Sequence, residues 1–163
     1  MVQRDLSLRL PQAGVSREGK EEIVLAVESV DFEREIDGRS WHLTAEKLER
    51  SATSARGYTV EIVLSDEKGR AWTFSAPQAD YADDLAQVRL IRPRGTLNGE
   101  GFELRWSSGE ALWTEGASAW SLSGGIKIED VLGGTRLESG RGSFDIDGVV
   151  VLREEARLFW QSP

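Results

Sequence analysis

The sequence predicts an all-β fold: an elongated, strongly twisted antiparallel sheet, folded over on itself and built from about four two-strand repeats. Three observations point there. Runs of alternating apolar and polar residues, bounded by Gly, Asp, Asn, Ser or Pro, recur about every ten residues from Ile23 onward, the pattern of half-buried strands. The stretch Asp37-Gly38-Arg39-Ser40-Trp41-His42-Leu43-Thr44-Ala45 is matched, position by position, by Lys68-Gly69-Arg70-Ala71-Trp72-Thr73-Phe74-Ser75-Ala76 at an offset of 31. Period two dominates over any helical period. The best helical competitor, Thr44 to Ala55, carries few apolar residues and no closing cap.

Residues 1–22 are polar and mixed in charge, with Leu6, Leu8 and Leu10 alternating briefly before Pro11, so they read as a mobile N-terminal arm holding at most one short strand. A single domain follows over residues 23–161. Its strands are marked in order by Ile23-Leu25-Val27, Trp41-Leu43-Ala45, Tyr58-Val60-Ile62-Leu64 and Trp72-Phe74-Ala76. Phe102-Leu104-Trp106, Trp120-Leu122 and Ala156-Leu158-Trp160 continue the series. A degenerate third repeat begins at Gly99, with Phe102 and Leu104 in the Trp and Leu/Phe places, and a weaker fourth surrounds Gly134 and Leu137. Each unit reads as a Gly-containing turn, a strand with one bulky apolar face, a polar break and a second strand. One such unit cannot bury its apolar face, whereas several side by side can.

Composition narrows the function classes. The chain has 163 residues, 28 acidic against 20 basic, for a net charge of −8; that opposes a phosphate-tracking surface and makes nucleic acid an unexpected partner. With no cysteine, disulfides, thiolate metal sites and cysteine nucleophiles are excluded, and the redox compartment stays open. The longest apolar run, Ile23 to Val27, spans five residues, far short of the roughly 20 a membrane helix needs. The N-terminal residues also lack a basic start and an apolar stretch of signal-peptide type. Either the protein is cytoplasmic, or the chain begins after a removed signal or anchor.

Enzyme chemistry is not expected. His42 is the single histidine, lies on the polar face of its strand, and has no second His or Cys to complete a metal site. The acidic pairs Glu33-Glu35, Asp66-Glu67, Asp83-Asp84 and Glu154-Glu155 fall mostly in turn-like, solvated contexts, unlike the two carboxyls that flank a scissile sugar bond. Gly99-Glu100-Gly101 and Gly140-Arg141-Gly142 precede no helix, so they are strand turns and not phosphate loops. No catalytic residue, metal or cofactor is therefore expected. The six tryptophans admit two arrangements: an outward platform that stacks sugars, or an inward lining. Trp41 and Trp72 share a face with Leu43 and Phe74, which favours the interior, yet a filled core and an open acyl-binding groove demand the same residue types.

The segment Phe32-Glu33-Arg34-Glu35-Ile36-Asp37-Gly38-Arg39-Ser40-Trp41-His42-Leu43-Thr44-Ala45-Glu46-Lys47-Leu48 resembles LptC-type periplasmic proteins of lipopolysaccharide export, relatives of LptA and other OstA-type domains. So do Ala79-Asp80-Tyr81 with Val88-Arg89-Leu90, and Trp120-Ser121-Leu122-Ser123-Gly124-Gly125-Ile126-Lys127-Ile128 followed by Gly142 and the final strands. Together these cover about Ile23 to Trp160. The resemblance implies a β-jellyroll whose apolar interior holds lipopolysaccharide acyl chains, passing them from an inner-membrane export ATPase complex to an LptA-like periplasmic bridge. It also implies a periplasmic location with an inner-membrane anchor in the full-length protein. The expected lipid-contacting positions are Trp41, Leu43, Trp72, Phe74, Phe102 and Leu104 from the repeats, with Trp120, Leu122, Ile126 and Ile128 from the later segment. Leu158, Phe159 and Trp160 form the expected docking edge for a second jellyroll by strand addition. The alternative is a carbohydrate-binding or structural β-repeat protein without a lipid ligand.

Overall fold

The computed structural model describes residues 22–36, 38–145 and 149–160. The arm expected over residues 1–22 lies, Glu22 apart, outside the described residues. The twelve strands of the described residues join one antiparallel sheet. They are β1 Leu25–Ile36, β2 Arg39–Arg50, β3 Ser54–Ser65, β4 Ala71–Ala82, β5 Gln87–Ile91, β6 Arg94–Gly99, β7 Phe102–Ser107, β8 Glu110–Thr114, β9 Ala119–Asp130, β10 Thr135–Asp145, β11 Val150–Arg153 and β12 Arg157–Trp160. The span Thr44 to Ala55, the helical competitor, is the end of β2, a turn and the start of β3.

Chain order and spatial order nearly coincide. β5 and β6 lie end to end beside β4, and they face β8 and β7, which pair with β9; β11 and β12 lie end to end beside β10. The sheet is thus a meander of long tracks, as expected for an elongated jellyroll-like fold. At one end the hairpins turn on Gly38, Gly69, Gly101 and Gly134, whose φ angles are 76°, 77°, 79° and 73°. That left-handed conformation costs a side-chain-bearing residue about 1–2 kcal/mol and glycine almost nothing, which accounts for the spacing of the sequence repeat. One repeat boundary is corrected. The third unit turns on Gly101, not Gly99, so Leu104 aligns with Leu97 and Trp72, and Trp106 aligns with Gly95 and Phe74. The expected alignment of Phe102 and Leu104 was two residues out of register, an error that preserves the face because side chains alternate with period two.

The β3–β4 hairpin shows how such a turn is held. The Asp66 carboxylate accepts hydrogen bonds from the Lys68 and Arg70 amides, both at 3.0 Å, and pairs with the Arg70 guanidinium at 2.7 Å. Burial pushes its pKa up, but the Arg70 amide and guanidinium and the Lys68 amide outweigh that and leave it below the usual carboxylate value. A group so depressed stabilises the fold above its unfolded pKa, and that contribution disappears as pH falls through the folded value. Asp66→Ala is expected to lower stability by about 1–2 kcal/mol at neutral pH. Urea unfolding should show the gap between the two proteins narrowing as pH falls below the ordinary carboxylate value and through the depressed folded one.

Every track bends near its middle. Positive φ occurs there at Ser29 (57°), Thr59 (52°), Arg92 (49°), the Gly124-Gly125 pair (78° and 90°) and the Glu154-Glu155 pair (61° and 55°). Thr59 is branched at Cβ, so its conformation is a true steric outlier. The bend inverts the alternation: Trp72, Phe74 and Ala76 are buried before it in β4, whereas Ala79 packs inward after it. Likewise β3 buries Val60 on one side and Gly57 on the other. Pro77 and Pro93 fall on this line, where a missing amide donor costs the ladder least. The crease folds the sheet into two leaves whose inner faces meet. Ring contacts join them: Phe74 to Trp120 at 4.9 Å, Trp72 to Phe144 at 5.2 Å and Trp106 to Phe144 at 5.1 Å.

Candidate functional site

The interior has a filled centre and two open ends. Of the expected lipid-contacting positions, Trp72, Phe74, Trp120, Leu122, Ile126 and Ile128 are buried at the centre, where their rings and branches fill the space between the leaves. Trp106 and Phe144, absent from the expected set, complete this cluster. Trp106 was legible as the last member of the run Phe102-Leu104-Trp106, whereas Phe144 carried no comparable signal. Gly95 makes the packing possible. It lies between Phe74 and Trp106 in the sheet, and the two rings meet over it edge to face at 5.2 Å. The centre also carries a polar cost, because the indole N–H groups of Trp72, Trp106 and Trp120 are buried without a hydrogen-bond acceptor.

Trp41, Leu43, Phe102 and Leu104 are only partly buried and pack at the margin of the cluster. Trp41 and Leu43 lie on β2, next to β1, which among the described residues pairs with β2 and with no other strand. Val30 is partly covered on the same inner face, and Val27, across the crease, is exposed. At the opposite end β12 pairs, among the described residues, with β10 alone. Leu158 faces Leu137 across that pair yet is 55% exposed, and the Phe159 ring lies beneath the Arg136 guanidinium at 4.7 Å. The backbone of Trp160 pairs with Thr135, while its side chain lies outside the described residues. Among the described residues the apolar inner face therefore runs out at β1 and β12.

His42 Nε2 lies 2.7 Å from Asp31 Oδ1 on the solvent side. Asp66 belongs to its turn, Asp83 pairs with Arg50 at 2.9 Å, and Glu154 and Glu155 form part of the crease. No cluster of three or more potential metal-ligating side chains occurs among the described residues, and no helix there is long and apolar enough to cross a membrane. Two surface hollows stand out among the described residues. The larger, about 590 Å³, opens at the crease over Gly109, Gly124, Gly125 and Gly140. The hydroxyls of its buried Ser108 and Ser139 are already committed to backbone carbonyls. The smaller, about 480 Å³, lies at the end of the sheet opposite the glycine turns, across β2 to β5.

No protein-family model matches this chain, and no curated protein matches it either.

Proposed function

We propose that this chain is a non-enzymatic lipid carrier of the LptC kind. It acts in the periplasm, held at the inner membrane in the full-length protein, and moves lipopolysaccharide towards the outer membrane. The single observation that carries this reading is the apolar inner face that, among the described residues, reaches two edge strands, β1 and β12, each paired on one side only. Such a face continues into a partner jellyroll when that partner adds a strand at either edge, giving an acyl chain a path from one module to the next. The partners in this scheme are an inner-membrane export ATPase complex on one side and an LptA-like bridge on the other.

The filled aromatic centre favours a second reading, a structural or carbohydrate-binding module with no interior ligand. Extraction of protein purified from an envelope fraction with organic solvent, followed by mass spectrometry, separates the two. Lipid carriage predicts hydroxylated acyl chains recovered in proportion to protein, reduced when Leu43 at the open end is replaced by Ala. Folded protein that yields no acyl chains, even after incubation with lipopolysaccharide, leaves the second reading.

A further inference from the structure

Four ring contacts join the two leaves among the described residues. Three of them, Phe74 with Trp120 and Phe144 with both Trp72 and Trp106, join buried side chains. The fourth is different. Trp41 on β2 meets Trp113 on β8 at 6.3 Å between ring centroids, with the planes tilted by 46°, and both residues are only partly buried.

The position of that contact is set by strand register. Trp41, Leu64, Trp72 and Leu97 stand side by side over β2, β3, β4 and β6, and all but Trp41 are buried. On the other leaf Trp113 leads inward to Trp120, 6.2 Å away. Both residues lie near the ends of their tracks, Trp41 beside the turn at Gly38 and Trp113 beside the turn at Gly116. They therefore close the folded sheet on the side away from the crease, at the place where its seal is thinnest. The two rings are also held unequally. Trp113 Nε1 donates to the Ala117 carbonyl at 3.1 Å, which ties its ring to its own leaf. Trp41 makes no side-chain hydrogen bond among the described residues, so packing alone keeps its ring in place.

We propose that Trp41 and Trp113 form a gate on the apolar interior. Their contact shuts the space between the leaves, and rotation of the Trp41 ring away from the fixed Trp113 admits an acyl chain. Neither ring carries a charge, so the passage suits an aliphatic chain and gives a charged group nothing to pair with. The proposal rests on the lipid-carrier reading and adds to it the point of entry and the residue that moves.

Uptake of 11-(dansylamino)undecanoic acid by the whole chain, followed by its emission, gives association and dissociation rates. A gate sets the barrier and leaves the end states alone, so Trp41→Ala should raise both rates about 3- to 30-fold while Kd moves less than about 3-fold. Trp113→Ala should do the same, and the double substitution should add little, because either one alone removes the contact. The chain has no cysteine, so Trp41→Cys combined with Trp113→Cys allows the gate to be bridged by a cleavable thiol-reactive linker. Bridging should slow uptake at least about 5-fold, and reduction should restore it; this compares one protein with itself and does not depend on the alanine variants folding. Wild-type protein that takes up no probe and yields no acyl chain on extraction overturns the lipid reading and the gate together. Wild-type uptake at rates that the substitutions and the bridge leave unchanged overturns the gate alone. So does a loss of affinity at an unchanged association rate, the mark of a residue that only contacts the ligand.

Discussion

Phe74→Ala is expected to cost about 3–5 kcal/mol of stability, the range for removing a fully buried aromatic ring. Phe74 is 2% exposed and touches three other rings: Trp72 at 6.2 Å, Trp106 at 5.2 Å and Trp120 at 4.9 Å between centroids. Trp120 belongs to the opposite leaf, so the substitution removes a contact that holds the folded sheet closed as well as apolar burial within one leaf. Leu43 lies in the same row of the sheet, reached from Phe74 through Ile62, but near the open end. Leu43→Ala should therefore cost roughly a third as much, about 1–2 kcal/mol, because its side chain leaves water only in part. Urea unfolding of the two variants gives the comparison directly. Equal losses would mean that the inner face is filled uniformly to its edge, and the open end on which the proposed lipid transfer depends would not exist.

Gly95→Ala is expected to be nearly as damaging although it adds a single methyl group. A Cβ built on Gly95 falls 1.8 Å from the Thr73 carbonyl oxygen and 2.9 Å from Trp106 Nε1. Neither neighbour yields cheaply: the carbonyl belongs to the paired strand β4, and the indole is clamped between Phe74 and Phe144. Overpacking of this kind costs about 1–3 kcal/mol and more where backbone must shift, so a loss of about 3 kcal/mol is expected, with weaker amide protection across β4 and β6. Gly101 supplies the control. Nothing lies within 4 Å of a Cβ there, so Gly101→Ala should cost only the roughly 1–2 kcal/mol of its left-handed backbone. A Gly95 variant no less stable than the Gly101 variant would show that β4 and β6 are not packed as closely as the ring contacts require.

Much of the architecture was legible because it is written locally. Trp41-Leu43-Ala45 and Trp72-Phe74-Ala76 alternate with period two, and that alternation alone assigns strand and face to the first halves of β2 and β4. The glycine at each hairpin is legible for the same reason, since φ near 75° excludes most other residues from Gly38 and Gly69. The crease was not. Thr59, Arg92 and Ser29 are ordinary strand or loop residues by type, and nothing in their chemistry announces positive φ. Each is held there by paired strands on its flanks. As a result the run Tyr58-Val60-Ile62-Leu64 reads as one alternating face, whereas Tyr58 lies beyond the bend, with its hydroxyl on Glu49 and the Lys47 ammonium 5.9 Å from its ring.

The row of charges across β2 to β5 had no sequence signature either. Glu49, Arg56, Asp80 and Arg89 are separated along the chain and read as scattered surface charges until strand register places them side by side.

The sequence by itself determined that this protein is all-β, that its strands are joined by repeated glycine turns, and which residue types line its interior. Those properties depend on backbone preference and on solvation of single residues, both of which act over a few positions. Tertiary structure alone decided which buried residues fill the centre and which stand at an open end. That outcome depends on contacts between the leaves, such as Trp72 with Phe144, whose strands β4 and β10 are far apart in the chain. A Trp or Leu is equally stable against another side chain of the fold or against an acyl chain, since apolar burial carries no direction, so the difference between core and mouth is set by where the second leaf stops.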